Sequence, residues 1–365
     1  MTKPALHHIK CEDHPLIVGR QSLASLAEIL AGGAFAGAKL FILCDENTLH
    51  HCLPTLIQRV ESLRSAEVIE ISAGEESKSI EVCEQLWAAL AELGAERSSV
   101  IINLGGGVVS DLGGFIAGTF KRGIRFFNVP TSLLAQVDAS LGSKVGIDLH
   151  GIKNQIGLFN APEGVFVDPA FLATLPQDHL LNGFAEMLKH ALICDADYWA
   201  SLLEINPRHA DELDASILRS IELKSEIVHS DPFEQGRRKL LNFGHTVGHA
   251  LESFSLEGDS KSLAHGEAIA IGMLCEAYIS RKVSGLPATD LEEISSTIRG
   301  HFPAYEIEEM HFHRIMELMS HDKKNADGGF RFSLLHSIGD ASYDVPVQAK
   351  LVLESINYYR RWKGQ

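Results

Sequence analysis

Four short apolar runs, AKLFILCD (38–45), AEVIEIS (66–72), SSVIINLGGG (98–107) and IRFFNVPTS (124–132), constrain this chain more than any other feature. Each has the length of a buried strand. Between the second and third lies SIEVCEQLWAALAELGA (79–95), whose apolar residues recur with helical period. That alternation implies a parallel sheet with helices on its faces, where ligands sit beyond the carboxyl ends of the strands. The third run continues as VIINLGGGVVSDLGGFIAGTF (100–120), from strand through three glycines into a helix. Glycines there let a phosphate approach the backbone, and the helix amino terminus favours negative charge. As a dinucleotide fingerprint the stretch is imperfect, because GxGxxG wants glycine where this chain has Ser110. A plain strand-to-helix turn would read the same way.

Near FLATLPQD the pattern changes. QDHLLNGFAEMLKHALI, LDASILRSIELKSEIVHSD, RKLLNFGHTVGHALESF and GEAIAIGMLCEAYISRKVSG all have helical period, with glycine, proline or aspartate between them. We therefore expect an α/β domain over 1–176 and a mainly α-helical domain over 177–365. Composition limits what such a protein can do. The net charge of −16, from 32 Lys plus Arg against 48 Asp plus Glu, argues against non-specific nucleic-acid binding. Cysteines 11, 44, 52, 83, 194 and 275 form no CxxC pair, as expected of free thiols in a reducing cytosol. The first residues, MTKPALHHIKCEDHPLIVG, lack a signal-peptide core, and no run of about 18 apolar residues occurs. A cytoplasmic protein, not inserted in a membrane, is the expectation.

The stretch RKLLNFGHTVGHALESF (238–254), taken as one helix, has two stripes. Leu240, Gly244, Val247, Leu251 and Phe254 make a core face; Arg238, Asn242, His245, His249 and Glu252 make another. A solvated face would ordinarily be lysine and glutamate, and glycines 244 and 248 each cost a helix about 1 kcal/mol. GFAEMLKHALI places Glu186, Lys189 and His190 on one helical face, as an exposed ion pair also would, and LAHGEAIAIGM places His265 at the mouth of an apolar helix. Together Glu186, His245, His249 and His265 offer carboxylate and imidazole ligands from separate helices. Three such ligands with an open position are how a catalytic zinc is held. Spacing alone makes His245 and His249 the natural pair.

Lysines point to an anion. In LDASILRSIELKSEIVHSD, Leu213, Ile217, Ile221, Lys224 and Val228 form a core stripe, and a lysine inside it must snorkel or meet a negative charge. Lys144, Lys153 and Asn154 lie among glycines in GSKVGIDLHGIKNQIG, and Lys323 and Lys324 lie in the polar HDKKNADGG. Such repetition in so acidic a chain suggests a phosphate or carboxylate substrate.

In series, GGGVVSDLGGFIAGTFKRG, VPTSLLAQVDASLGSKVGID, GIKNQIG, GFAEMLKH, LLNFGHTVGHALE, HGEAIAIGM and DKKN resemble the 3-dehydroquinate synthase family, in order from about residue 45 to 328. The resemblance implies a Rossmann-like NAD-binding α/β domain and a helical metal-binding domain, with the active site between them. It implies Glu186, His245 and His265 as ligands of one Zn2+ or Co2+, with His249 facing substrate, and so overrules the spacing. For NAD it implies Asp45, Asn47, Glu75, Lys78, Gly106, Gly107, Asp111, Thr131, Ser132, Lys144, Lys153, Phe171, Thr174 and Leu175. Ser132 replaces the threonine common there and keeps its hydroxyl. Catalytic roles fall on Lys144, Lys189, Lys224, Asn242 and His249. Substrate contacts fall on Asp138, Lys153, Asn154, Arg238 and the pair Lys323 and Lys324. Arg122 is expected to reach the phosphate of the neighbouring subunit of a homodimer.

The implied reaction converts 3-deoxy-D-arabino-heptulosonate 7-phosphate to 3-dehydroquinate and phosphate. It runs through transient oxidation at C5, phosphate elimination, return of the hydride, ring opening and aldol closure, with no net redox. Rival readings are a sibling sugar phosphate cyclase of the 2-epi-5-epi-valiolone synthase kind, a glycerol-dehydrogenase-like oxidoreductase, and a non-catalytic NAD sensor. Lys224, Asn242 and His249 favour the dehydroquinate branch, whose substrate is carboxylated.

Overall fold

The computed structural model describes residues 6–11, 14–149, 152–257, 262–323 and 330–361. The chain divides into two compact units, 1–180 with 209–229, and 181–208 with 230–365. In the first unit the strands are β1 (His7–Cys11), β2 (His14–Val18), β3 (Leu40–Asp45), β4 (Glu67–Ile71), β5 (Val100–Gly105), β6 (Arg125–Pro130), β7 (Lys144–Leu149), β8 (Ile152–Phe159) and β9 (Gly164–Val167). Its helices include α1 (Ser22–Ala31), α2 (Glu46–His51), α3 (Leu53–Arg59), α4 (Ile80–Glu92) and α5 (Gly107–Thr119).

Seven strands form one sheet in the order β1-β2-β9-β6-β5-β3-β4, and only the β1–β2 pair is antiparallel. All six residues of β5 are buried, as a strand covered on both faces requires. Alternation decides which face each residue serves. Ile42 and Cys44 of β3 join the core beneath α1 and α3, while Phe41 and Leu43 join the core beneath α4 and α5. Strand order reverses between β3 and β5, which makes the crevice at their carboxyl ends the topological switch point. A separate hairpin, β7–β8, packs on α5. Its close approach depends on Gly114, where a Cβ would fall 2.4 Å from Val145 Cγ1.

The chain continues through α6 (Gln177–Cys194), α7 (Ala196–Leu203) and α8 (Asp214–Ser230). Helix α8 carries residues of the first unit, and its stripe Leu213, Ile217, Ile221, Lys224 and Val228 is buried throughout. The second unit holds α9 (His245–Ser255), α10 (His265–Val283), α11 (Ala288–His301), α12 (Phe312–Lys323), α13 (Ala349–Arg361) and an antiparallel hairpin, β10 (Phe330–Ser337) with β11 (Asp340–Val347). Helix α10 is apolar on most sides because α9, α11, α13 and β10 all pack on it.

The expected single helix over 238–254 is not what forms. Residues Arg237–Asn242 make a 3-10 turn, Gly244 adopts φ +80°, and the α-helix begins at His245. The reason lies in α10. A Cβ on Gly272 would stand 1.8 Å from the carbonyl oxygen of Gly244, so the two backbones touch where both residues are glycine. Glycines 244 and 248 thus serve helix contact and a left-handed turn, which offsets their helix-propensity cost.

Candidate functional site

In the first unit the expected cofactor residues fall at successive carboxyl ends of the sheet. Asp45 ends β3 and caps α2, accepting the Thr48 N–H at 2.8 Å, and exposed Asn47 follows it. Gly106 and Gly107 start α5 after β5; a Cβ on Gly106 would meet Ser132 Oγ at 3.2 Å and one on Gly107 would meet Ala139 Cβ at 3.2 Å. Thr131, after β6, donates its N–H to Gly105 O at 3.0 Å. After β9, Phe171 is buried, Leu175 half-buried and Thr174 exposed.

Lys78 is the centre of a network that ties several of these residues together. It is buried, and its ammonium donates to Asn154 Oδ1 at 2.7 Å and Asp111 Oδ2 at 3.0 Å, with Glu75 Oε1 at 3.5 Å. Burial opposes its charge, but Asp111 and Glu75 outweigh burial and raise its pKa above the ordinary lysine value. Lys153 lies 3.6 Å from the same Glu75 oxygen. Asp148, which sequence reasoning missed, accepts the Asn154 N–H at 2.8 Å and donates its own N–H to Lys78 O at 2.8 Å. Asn154 is held there at φ +54°, a conformation asparagine tolerates better than most residues.

The buried lysine of α8 does meet an anion. Lys224 donates to the Asp138 carboxylate at 2.6 Å and to the Asp138 carbonyl at 2.7 Å. Asp138 sits on a π-turn, Ala135–Ala139, of the kind often found at functional sites. Gln136 on that turn donates to Pro130 O and Asp168 O, tying the end of β6 to the end of β9. Lys144, at the start of β7, is exposed, as is Arg122, whose φ is +69°.

The second unit gathers the metal-type donors. Glu186 is fully buried on α6 with its Oε1 3.6 Å from His245 Nε2 and 3.5 Å from His265 Nε2. Bonds of about 2.0–2.1 Å at tetrahedral angles set donors roughly 3.3–3.5 Å apart, so this spacing fits an ion of zinc size. His249 lies in the same triangle, with its ring centroid 5.0 Å from that of His245 and 5.9 Å from that of His265. The donors of Glu186, His245 and His265 converge as one set; those of His249 group with Glu252 and His265 instead.

The distal ring nitrogens are also oriented. His245 Nδ1 lies 3.1 Å from Phe243 O, which can only accept, so Nδ1 carries the proton and Nε2 presents a lone pair toward Glu186. His265 Nδ1 lies 3.3 Å from buried Glu252 Oε2. Glu252 stands on the polar stripe of 238–254, where spacing alone gives it no role. Without an ion, burial and the charge of Lys189 push His245 well below its ordinary pKa. For His265, burial is outweighed by Glu186 and Glu252, which lift it to about 10.

Other candidates fall in the same unit or outside the described residues. Lys189 is buried one turn from Glu186 and pairs with it. Arg238 and Asn242 stand on the 3-10 turn, where Asp231 accepts three backbone N–H groups, from Gly236, Gln235 and Arg238. Asn242 donates to Glu234 Oε1 at 2.7 Å, a partner absent from the sequence reading. Lys323 is the last residue of α12, and Lys324 lies outside the described residues.

An open parallel sheet with a glycine turn at its switch point, in a chain whose other unit is helical and carries a Glu–His–His cluster, defines the class: the fold is that of the sugar phosphate cyclases. The solved 2-deoxy-scyllo-inosose synthase complexed with carbaglucose-6-phosphate, NAD+ and Co2+ matches at TM-score 0.82, with 24% identity over 97% of this chain and 100% of that one. The 2-epi-5-epi-valiolone synthase from Streptomyces hygroscopicus subsp. jinggangensis, with NAD+ and Zn2+ bound, matches at TM-score 0.80, with 23% identity over 98% and 99%. Within that class the chain belongs to the 3-dehydroquinate synthase family. The model of the family's N-terminal part matches residues 68–182, and that of its C-terminal part matches residues 183–325. The 3-dehydroquinate synthase of Parabacteroides distasonis is 42% identical over 89% of this chain and 92% of its own length.

Proposed function

We propose that this chain converts 3-deoxy-D-arabino-heptulosonate 7-phosphate to 3-dehydroquinate and inorganic phosphate, as a carbon–oxygen lyase and cytoplasmic homodimer using NAD and one Zn2+ or Co2+ per subunit. The observation that carries the reading is the convergence of Glu186, His245 and His265 in a chain matched to the family across 68–325. Those three residues would hold the ion. NAD would lie along the carboxyl ends of β3 to β6, against Asp45, Asn47, Glu75, Gly106, Gly107, Asp111, Thr131 and Ser132, with Phe171, Thr174 and Leu175 after β9. When bound, NAD supplies a reversible hydride acceptor and the ion supplies a Lewis acid.

The chain's own residues bind and orient. Lys78 acts as a strut, holding Glu75, Asp111 and Asn154 in place. Lys144, Lys153, Lys189, Lys224 and Arg238, with Arg122 from the neighbouring subunit, offer fixed positive charge to an anionic substrate with a phosphate leaving group. Asp138 anchors Lys224 and so fixes where that charge is presented. His249, whose donors group with Glu252 and His265 and not with Glu186, would face the substrate and is suited to moving a proton there.

The test follows phosphate release and NADH absorbance together, with three candidate sugar phosphates. The heptulosonate 7-phosphate should release phosphate over many turnovers while the NADH band stays nearly flat. Stoichiometric NADH would move the protein to the dehydrogenases, and preferential turnover of sedoheptulose 7-phosphate or glucose 6-phosphate would make it a sibling cyclase.

A further inference from the structure

His245 is the first residue of α9, and the bonds that fix that turn come from a different helix. In a capping box a helix start is tied by two reciprocal bonds. The N-cap side chain takes the N–H of the third helical residue, and the side chain of that residue takes the N-cap N–H. Here those positions are Gly244 and Val247, neither of which has a polar side chain. Glu276 of α10 makes both bonds alone. One carboxylate oxygen accepts the Gly244 N–H at 2.7 Å, and the other accepts the Val247 N–H at 3.2 Å.

A conventional cap has no room at position 244. Its φ of +80° disfavours any side chain, and a Cβ there would meet Met273 Cγ at 2.6 Å and Ile269 O at 3.1 Å. The carboxylate is fully buried, an unfavourable setting for a charge unless hydrogen bonds hold it. It is also placed where a helix start favours negative charge.

Taking the Glu186–His245–His265 cluster as a metal site, as proposed above, we infer that Glu276 is a positioning residue for that site. As a cap supplied from α10, it fixes where α9 begins. That sets both His245 and the Phe243 carbonyl that orients its ring, on either side of Gly244. No ligand is altered when Glu276 changes, yet the placement of His245 against Glu186 and His265 depends on it.

Glu276→Gln tests this without a change of size, because an amide presents one acceptor where the carboxylate presents two. The control is Ser280→Ala. Ser280 is buried one turn along α10, donating to Glu276 O at 2.7 Å and accepting the Leu335 N–H at 3.0 Å, so its loss strains the same helix away from α9. Full-length proteins are compared for Zn2+ affinity by chelator competition and for the visible spectrum of the Co2+-loaded form. Glu276→Gln should bind Zn2+ roughly 10–100-fold more weakly and show an altered Co2+ band, the size of effect seen when outer partners of a metal site are removed. Ser280→Ala should keep both at wild-type values. Wild-type affinity and spectrum in Glu276→Gln, or an equal loss in Ser280→Ala, would overturn the assignment. If Glu276→Gln is insoluble, Glu276→Asp carries the test: weakened Zn2+ binding is expected, and wild-type affinity would overturn it. A wild-type protein that binds neither ion would refute the metal reading itself, whereas a metal-binding wild type matched by Glu276→Gln refutes only the role of Glu276.

Discussion

Gly272→Ala should destabilise this protein, although helix propensity predicts the opposite. Within a helix, alanine is favoured over glycine by about 1 kcal/mol. Here the new Cβ would lie 1.8 Å from Gly244 O, and 2.8 Å from Gly244 C and from Gly248 N. All three are backbone atoms, so no rotamer relieves the clash. Ordinary contact starts at 3.4 Å, which means α9 must retreat by about 1.6 Å. Overpacking of a buried contact costs about 1–3 kcal/mol. With the upper figure, less the gain in propensity, the net loss is about 2 kcal/mol. In a domain of about 150–250 residues that lowers the melting temperature by roughly 4–8 °C. Gly300→Ala is the matched control, since Gly300 is an exposed residue of α11 with nothing within 4 Å of its Cβ position. It should raise stability by up to about 1 kcal/mol. Both variants are melted without metal and then titrated with Zn2+. A retreat of about 1.6 Å far exceeds the roughly 0.2 Å tolerance of a metal–ligand bond, so Gly272→Ala should also lose Zn2+ affinity while still folded. If it melts at or above the wild type and binds Zn2+ normally, the close approach of α9 and α10 is wrong.

His245→Ala and His265→Ala should lose metal and activity together, whereas His249→Ala should keep its metal by elemental analysis and turn over slowly; an empty site in His249→Ala would return His249 to the ligand set. On the proposed role of Arg122, Arg122→Ala should weaken substrate binding strongly while leaving NAD and metal content intact, as the loss of a bidentate guanidinium to phosphate would. Mixed with Lys189→Ala, each nearly inactive alone, it should regain activity towards about a quarter of wild type in random two-fold dimers with independent sites. Hybrid dimers seen by mass but without recovery would exclude service to the partner subunit.

Much of the first unit was legible because its signals are local. β3, β4, β5 and β6 each lie inside one of the four apolar runs, and α5 opens at the expected glycine turn. The apolar stripe of α8 also required Lys224 to snorkel or to meet a negative charge, and only the fold decides for the charge and shows that Asp138 supplies it. What escaped is non-local. Asn103 donates across the sheet to Asn128 Oδ1 at 2.9 Å, and Gly113 exists to clear Asn103, yet each looks unremarkable in its own segment. The β10–β11 hairpin escaped as well, inside a region expected to be helical.

The start of α9 shows why periodicity alone fell short. The 3-10 turn Arg237–Asn242 steps by three residues, close enough to a helix that the four-and-three spacing in the sequence carries no mark of the break at Gly244. Spacing therefore suggested one helix where there are two elements, and it could not rank His245 against His249. What separates the two in the fold is partners distant in sequence. Asn182, one turn before Glu186 on α6, accepts the Gly266 N–H beside His265, and Glu276 caps the residue beside His245. A Cβ on Gly266 would lie 2.3 Å from Asn182 O, so the start of α10 is pressed against the helix that carries Glu186. Each histidine that converges on Glu186 is thus the first residue of its helix, and each of those starts is bonded by a side chain from another helix, in α10 alongside its own Glu267, which accepts the Ala264 N–H at 2.9 Å. His249, a full turn inside α9, has no such fixture at a helix start. The physical distinction between the two histidines of HTVGH is therefore one of helix ends, which a stripe drawn along a sequence does not contain.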